Sequence, residues 1–119
     1  MMLSITMHRI YNGNSDYVSI TGSYTSVSEK FDGVDYTSAL KMESGTRLNI
    51  LASNSNRKIV LHFASATASG SIKDANDSSK IFTMEGSTIT IELAAGESLS
   101  LTKKDGTKNY LFLMEILPA

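Results

Sequence analysis

Thr46-Arg47-Leu48-Asn49-Ile50-Leu51-Ala52 is followed by Ser53-Asn54-Ser55-Asn56 and then by Arg57-Lys58-Ile59-Val60-Leu61-His62-Phe63-Ala64. In both flanking runs apolar residues fall mostly at every second position, and the tetrad between them is built from turn formers. Alternation with period two marks a strand with one buried face, because successive side chains of a strand point to opposite sides. If the tetrad closes a hairpin, Ile50 lies opposite Ile59 and Leu48 opposite Leu61 on an apolar face. Leu51 then pairs with Lys58, and Asn49 with Val60, on a mixed one.

The same pattern continues in both directions. It predicts strands over 16–21, 38–43, 46–52, 57–64, 80–84, 87–93, 97–103 and 108–117, and no stretch keeps a helical spacing free of β-branched or Gly interruption. Short strands divided by frequent turns read as an all-β, antiparallel domain, a sandwich or a barrel. Asp105-Gly106 gives a second hairpin signal. A two-residue turn there sets Leu101 against Tyr110 and Leu99 against Phe112. It also places Lys103 directly opposite Lys108, with Lys104 beside them. Like charges facing each other weaken a strand pair, so these lysines either splay into water or hold an anion between them.

The 119 residues suit one domain, with 1–14 as an irregular segment or first edge strand and 15–117 as the folded module. A net charge of −1 provides no long-range field for gathering a polyanion, which argues against nucleic acid and makes any anion site local. Without Cys there are no disulfides, thiolate metal sites or cysteine nucleophiles. No apolar run reaches membrane-spanning length. The opening Met1-Met2-Leu3-Ser4-Ile5-Thr6-Met7 lacks the charged start of a secretory signal, so a secreted origin implies a piece of a larger protein.

Catalytic constellations are scarce. His8 and His62 are the two histidines, and neither a phosphate loop nor a paired-histidine metal motif is present. His62 has outward parity and is expected to be a solvated imidazole. Asp32 and Asp35 flank Gly33 as turn residues rather than as a glycosidic acid/base pair. Asp74, Asn76 and Asp77 lack the spacing of a calcium loop and read as a polar turn. The expectation is no catalytic residue, no metal and no cofactor. With no Trp and with Tyr36 and Tyr110 half-buried by pattern, a grip led by aromatic stacking is disfavoured against one led by charge.

The segment Phe31-Asp32-Gly33-Val34-Asp35-Tyr36-Thr37-Ser38-Ala39-Leu40-Lys41-Met42-Glu43-Ser44 resembles "YNGVTYTxCLKMESST" of carbohydrate-binding module family 77, modules appended to bacterial pectate lyases. Ser15-Asp16-Tyr17-Val18-Ser19-Ile20-Thr21-Gly22 is similar to that family's "SDFYTISG". Residues 94–103 and 109–113 resemble its "EAGSHTITK…NLFYISL" close. The resemblance implies a jelly-roll-like β-sandwich that binds weakly esterified homogalacturonan through lysines. It implies that Lys41 and Lys103 are ligand contacts and leaves Arg57 or Lys58 as a third. Lys104 and Lys108 stand where the family has a short turn, and either extend the site or decorate the hairpin. Parity agrees for Lys41, since Leu40 and Met42 point one way and Ala39, Lys41 and Glu43 the other.

The expected protein is therefore a non-catalytic, monomeric module. It is secreted as part of a larger bacterial pectin-degrading enzyme, covalently linked to a pectate lyase or similar catalytic domain, with an acidic polysaccharide as its partner. A minimal polysaccharide lyase, with Lys or Arg as base, and a structural or adhesive sandwich without sugar binding are the alternatives.

Overall fold

The computed structural model describes residues 6–10, 13–105 and 108–118. Its strands are β1 Thr6–Arg9, β2 Val18–Thr21, β3 Tyr24–Phe31, β4 Val34–Met42, β5 Arg47–Ile50, β6 Arg57–Phe63, β7 Ser71–Asp74, β8 Asp77–Thr83, β9 Thr88–Leu93, β10 Leu99–Asp105 and β11 Asn109–Pro118. They form two antiparallel sheets packed as a sandwich. One runs β3-β4-β11-β6-β9, with β1 also pairing β11, and the other runs β2-β5-β10-β7-β8. The sequence reading missed β3 and β7: the less exposed row of β3, Thr25, Val27, Glu29 and Phe31, is half polar, and β7 has four residues with Ile72 as its single apolar one.

Alternation decides the core. Leu40 and Met42 of β4, Leu48 and Ile50 of β5, Ile59, Leu61 and Phe63 of β6, and Leu99 and Leu101 of β10 all point between the sheets and are almost wholly buried. Each such side chain contributes roughly 1.5–3 kcal/mol relative to exposure.

Both sequence-derived hairpin registers are wrong. β5 pairs with β2 and β10, so Ile50 faces Val18 and Leu99, while β6 pairs with β9 and β11 in the other sheet. Likewise β10 pairs with β5 and β7, and Tyr110 of β11 faces Lys41. Lys103 is therefore not paired with Lys108, and its ladder partner is Ile72. Gly106, the second residue of the expected Asp105-Gly106 turn, and Thr107 lie outside the described residues. The physical reason is a degeneracy. Two consecutive strands with inward apolar faces satisfy the same alternation whether they lie side by side or oppose each other across a core about 10 Å thick.

The Asp-Gly hairpin that does form is Asp32-Gly33, with φ of 52° and 76° and Phe31 paired to Val34. Two successive residues at positive φ are the mark of a two-residue turn matching strand twist. Ala75-Asn76 turns β7 into β8, and there the Asp74 carboxylate accepts from the amides of Asn76 and Ser100.

The β3–β4 hairpin reaches further than its ladder. β4 pairs with β11 only over Leu40–Met42, and beyond that point the hairpin packs on the outer face of its own sheet. Phe31, Tyr36, Phe112 and Leu113 form a second, smaller apolar cluster there. A bulge between Leu111 and Leu113 lets Phe112 and Leu113 both serve it. His62 is consequently buried instead of solvated. Its ring lies 4.3 Å from that of Phe31, and its Nε2 is 2.5 Å from the Glu115 carboxylate.

Candidate functional site

The β4–β5 loop has only four residues, 43–46, and one threonine locks it. The Thr46 hydroxyl donates to the Lys41 carbonyl at 2.6 Å and accepts from the Glu43 amide at 3.1 Å. This rigid turn presents cations on both sides. Lys41 projects from the outer face of its sheet, half-buried beside its cross-strand partner Tyr110. The next outward pair in that register is Glu43 with Lys108, and their side chains form an ion pair of 3.2 Å.

Across the turn, Arg47 leaves the outer face of the second sheet, because Leu48 and Ile50 take the core side. One of its nitrogens donates to the carbonyls of Ser44 and Thr46 and to the Thr102 hydroxyl. Thr102 in turn donates to the carbonyls of Glu43 and Ser44. Among the described residues no carboxylate lies within ion-pair distance of Lys41 or Arg47.

Lys103 reaches this end from inside. It is only 9% exposed, and its ammonium donates to the Ser69 carbonyl at 2.9 Å and to the Asn109 side-chain oxygen. The Asn109 amide then donates to the Thr67 carbonyl at 2.9 Å. Burial holds the Lys103 pKa below the usual lysine range, and the charge of Asp105 offsets part of that. The fit is tight. A Cβ on Gly70, whose φ is +74°, would come within 2.5 Å of the Asp105 carbonyl and 3.1 Å of the Lys103 ammonium.

Asp105 accepts from the Ser71 amide and hydroxyl and from Lys104, and these bonds hold its carboxyl below the usual carboxylate range. Lys41, Arg47, Lys103, Lys104 and Lys108, five of the 11 basic residues in the chain, thus meet at one end of the sandwich against Glu43 and Asp105.

Arg57 and Lys58 lie elsewhere. The partner of Lys41 on β11 is Tyr110 and that of Lys58 is Leu117. Seven residues of strand separate those partners by about 23 Å. Lys58 is exposed on the outer face, facing Glu92 and Leu117. Arg57 has core parity and is 5% exposed, with its guanidinium donating to the carbonyls of Leu51 at 2.8 Å and Glu97 at 3.1 Å. The six cations singled out from the sequence therefore do not form one cluster. Four gather at one end, one of them turned inward, and two stand at the other.

Arg47 escaped the sequence reading although a signal was present. It follows Lys41 across a four-residue loop and has the parity opposite to Leu48 and Ile50.

The family model for carbohydrate binding module 77 matches residues 4–114. A solved structure described as "The complexity of the Ruminococcus flavefaciens cellulosome reflects an expansion in glycan recognition" aligns at 27% identity with a TM-score of 0.76, covering 97% of this chain and 94% of that one. No curated protein matches. With the family model spanning nearly the whole length and the sandwich in place beneath it, the chain belongs to carbohydrate-binding module family 77.

Proposed function

We propose that this module binds weakly esterified homogalacturonan at its cationic end, with Lys41, Arg47 and Lys108 as the uronate contacts and Lys104 at the margin. The carrying observation is the convergence of these side chains around the rigid 43–46 turn, with Lys41 and Arg47 free of carboxylate partners among the described residues. Lys103, whose ammonium is engaged internally, acts by holding the loops that position Lys104 and Lys108. Arg57 and Lys58 fall outside this contact set.

Homogalacturonan offers one carboxylate per sugar along an extended chain. Each charge-assisted hydrogen bond contributes about 1.5–3 kcal/mol before ordering costs are subtracted, so a few contacts give modest affinity. The module is non-catalytic in this reading and belongs to a larger secreted pectin-degrading enzyme. It raises the local concentration of that enzyme at an insoluble substrate without any contact to the reacting bond.

The test is affinity measured over homogalacturonans graded by esterification, at low and high salt, for wild type and Lys41→Ala. Binding that falls with esterification, weakens as salt shortens the Debye length to about 3 Å near 1 M, and drops at least tenfold in Lys41→Ala supports the proposal. Affinity indifferent to salt and to Lys41 overturns it. Unsaturated product from polygalacturonate would replace the binding role with a lyase.

A further inference from the structure

The end opposite the cations carries a built cleft of its own. It encloses about 320 Å³ between the chain preceding β2, the 53–56 loop and the last residues of β11. That size is at the lower end for small-molecule sites, suited to one or two sugar rings rather than to a polymer groove.

Tyr17 lines the cleft and is one of the few large apolar residues left exposed, at 42%. Its backbone is held on both sides, the amide by the Ser15 hydroxyl and the carbonyl by the Leu51 amide, each at 3.0 Å. Leu117 and Pro118 extend the apolar surface. Asp16 and Asn54 stand at the polar side, and neither side chain has a hydrogen-bond or ion-pair partner among the described residues. The loop bearing Asn54 is fixed from outside, because the Asn56 side chain accepts from the Ala95 amide and the Ser53 carbonyl from the Gly96 amide.

Arg57 forms the inner wall. Two of its nitrogens donate to the carbonyls of Leu51 and Glu97, which fixes this 5% exposed side chain behind the cleft surface.

We propose that this cleft binds a neutral sugar residue, stacked on Tyr17 and hydrogen-bonded through its hydroxyls to Asp16 and Asn54. An aromatic face suits the apolar face of a pyranose. A carboxylate accepts from sugar hydroxyls, and an amide both accepts from and donates to them. The charge distribution selects against a uronate. The exposed charge in the lining is the carboxylate of Asp16, Arg57 is turned to backbone carbonyls, and Lys58 does not line the cleft. This site is independent of the cationic end and stands whether or not that end binds homogalacturonan.

The experiment follows backbone amide chemical shifts of the whole chain with four probes at millimolar concentration: β-1,4-galactotetraose, arabinotetraose, cellotetraose and trigalacturonate. At least one neutral probe is expected to move the amides of Tyr17, Asn54 and Leu117 saturably. In both Tyr17→Ala and Asn54→Ala the affinity should fall at least fivefold with the rest of the spectrum unchanged, and in Lys41→Ala the response should persist. Three results overturn the proposal: no response to any neutral probe, unchanged affinity in Tyr17→Ala, or movement of these same amides by trigalacturonate in preference to the neutral probes.

Discussion

Arg57 and Lys41 stand near opposite ends of the same sheet, and they show two fates of a basic side chain on a sandwich. Arg57 shares parity with Ile59 and Leu61, so its strand carries it into the core, where backbone carbonyls receive it. Lys41 has the parity opposite to Leu40 and Met42, so its strand carries it out, where among the described residues no carboxylate pairs with it. Lys103 repeats the first case within the end that otherwise shows the second. A cation is thus available to a ligand according to which side of the pleat it occupies, whatever its closeness in sequence to other cations.

The largest effect that would test this contrast is on stability. Arg57→Ala removes the hydrogen bonds to the Leu51 and Glu97 carbonyls together with a nearly buried side chain, and is expected to cost about 2–4 kcal/mol. Lys41→Ala should stay within about 0.5 kcal/mol, as surface substitutions do. Paired denaturant titrations measure both. Equal losses would mean that the two cations do not differ in role.

Acid sensitivity gives a smaller effect. The Asp105 carboxyl is held below its ordinary range chiefly by the Lys104 and Ser71 side chains. A carboxyl depressed in the folded state contributes stability that is complete above its unfolded pKa and is lost as pH falls through the folded one. Thermal melts from neutral to acid pH should therefore show a steeper fall for wild type than for Asp105→Asn. Parallel curves would remove Asp105 as an anchor of this end.

The smallest effect concerns Glu43, which neutralises Lys108 at the surface. Such pairs contribute about 0–1 kcal/mol, so Glu43→Gln should scarcely move the melting temperature while raising affinity for polygalacturonate a few-fold. Reduced affinity would place Glu43 among the groups that hold the ligand. Lys108→Ala should lower affinity by a similar factor, less than Lys41→Ala does.

Much of this molecule was legible in its residues. The all-β class, most of the strands, the inward faces of Leu40, Leu48, Ile59 and Leu101, and the outward parity of Lys41 follow from period two, a property of each strand alone. The turn at Asp32-Gly33 followed from its chemistry. The family followed from the Leu-Lys-Met-Glu-Ser segment and its flanks, and the matched model confirms it.

Tertiary structure alone decided which strands are neighbours. The alternation around residues 53–56 and at Asp105-Gly106 is the same for a hairpin and for two strands facing each other across a core, and the sandwich takes the second arrangement at both places. That choice surrounded the inward-pointing Lys103 with Ser69 and Asn109, separated Arg57 and Lys58 from the other cations, and brought Arg47 to Lys41. His62 was covered by a hairpin whose reach depends on where the ladder between β4 and β11 stops. Periodicity specifies the side of a strand on which a residue sits. What then covers that side is set by contacts between segments far apart in the chain, which no local pattern encodes.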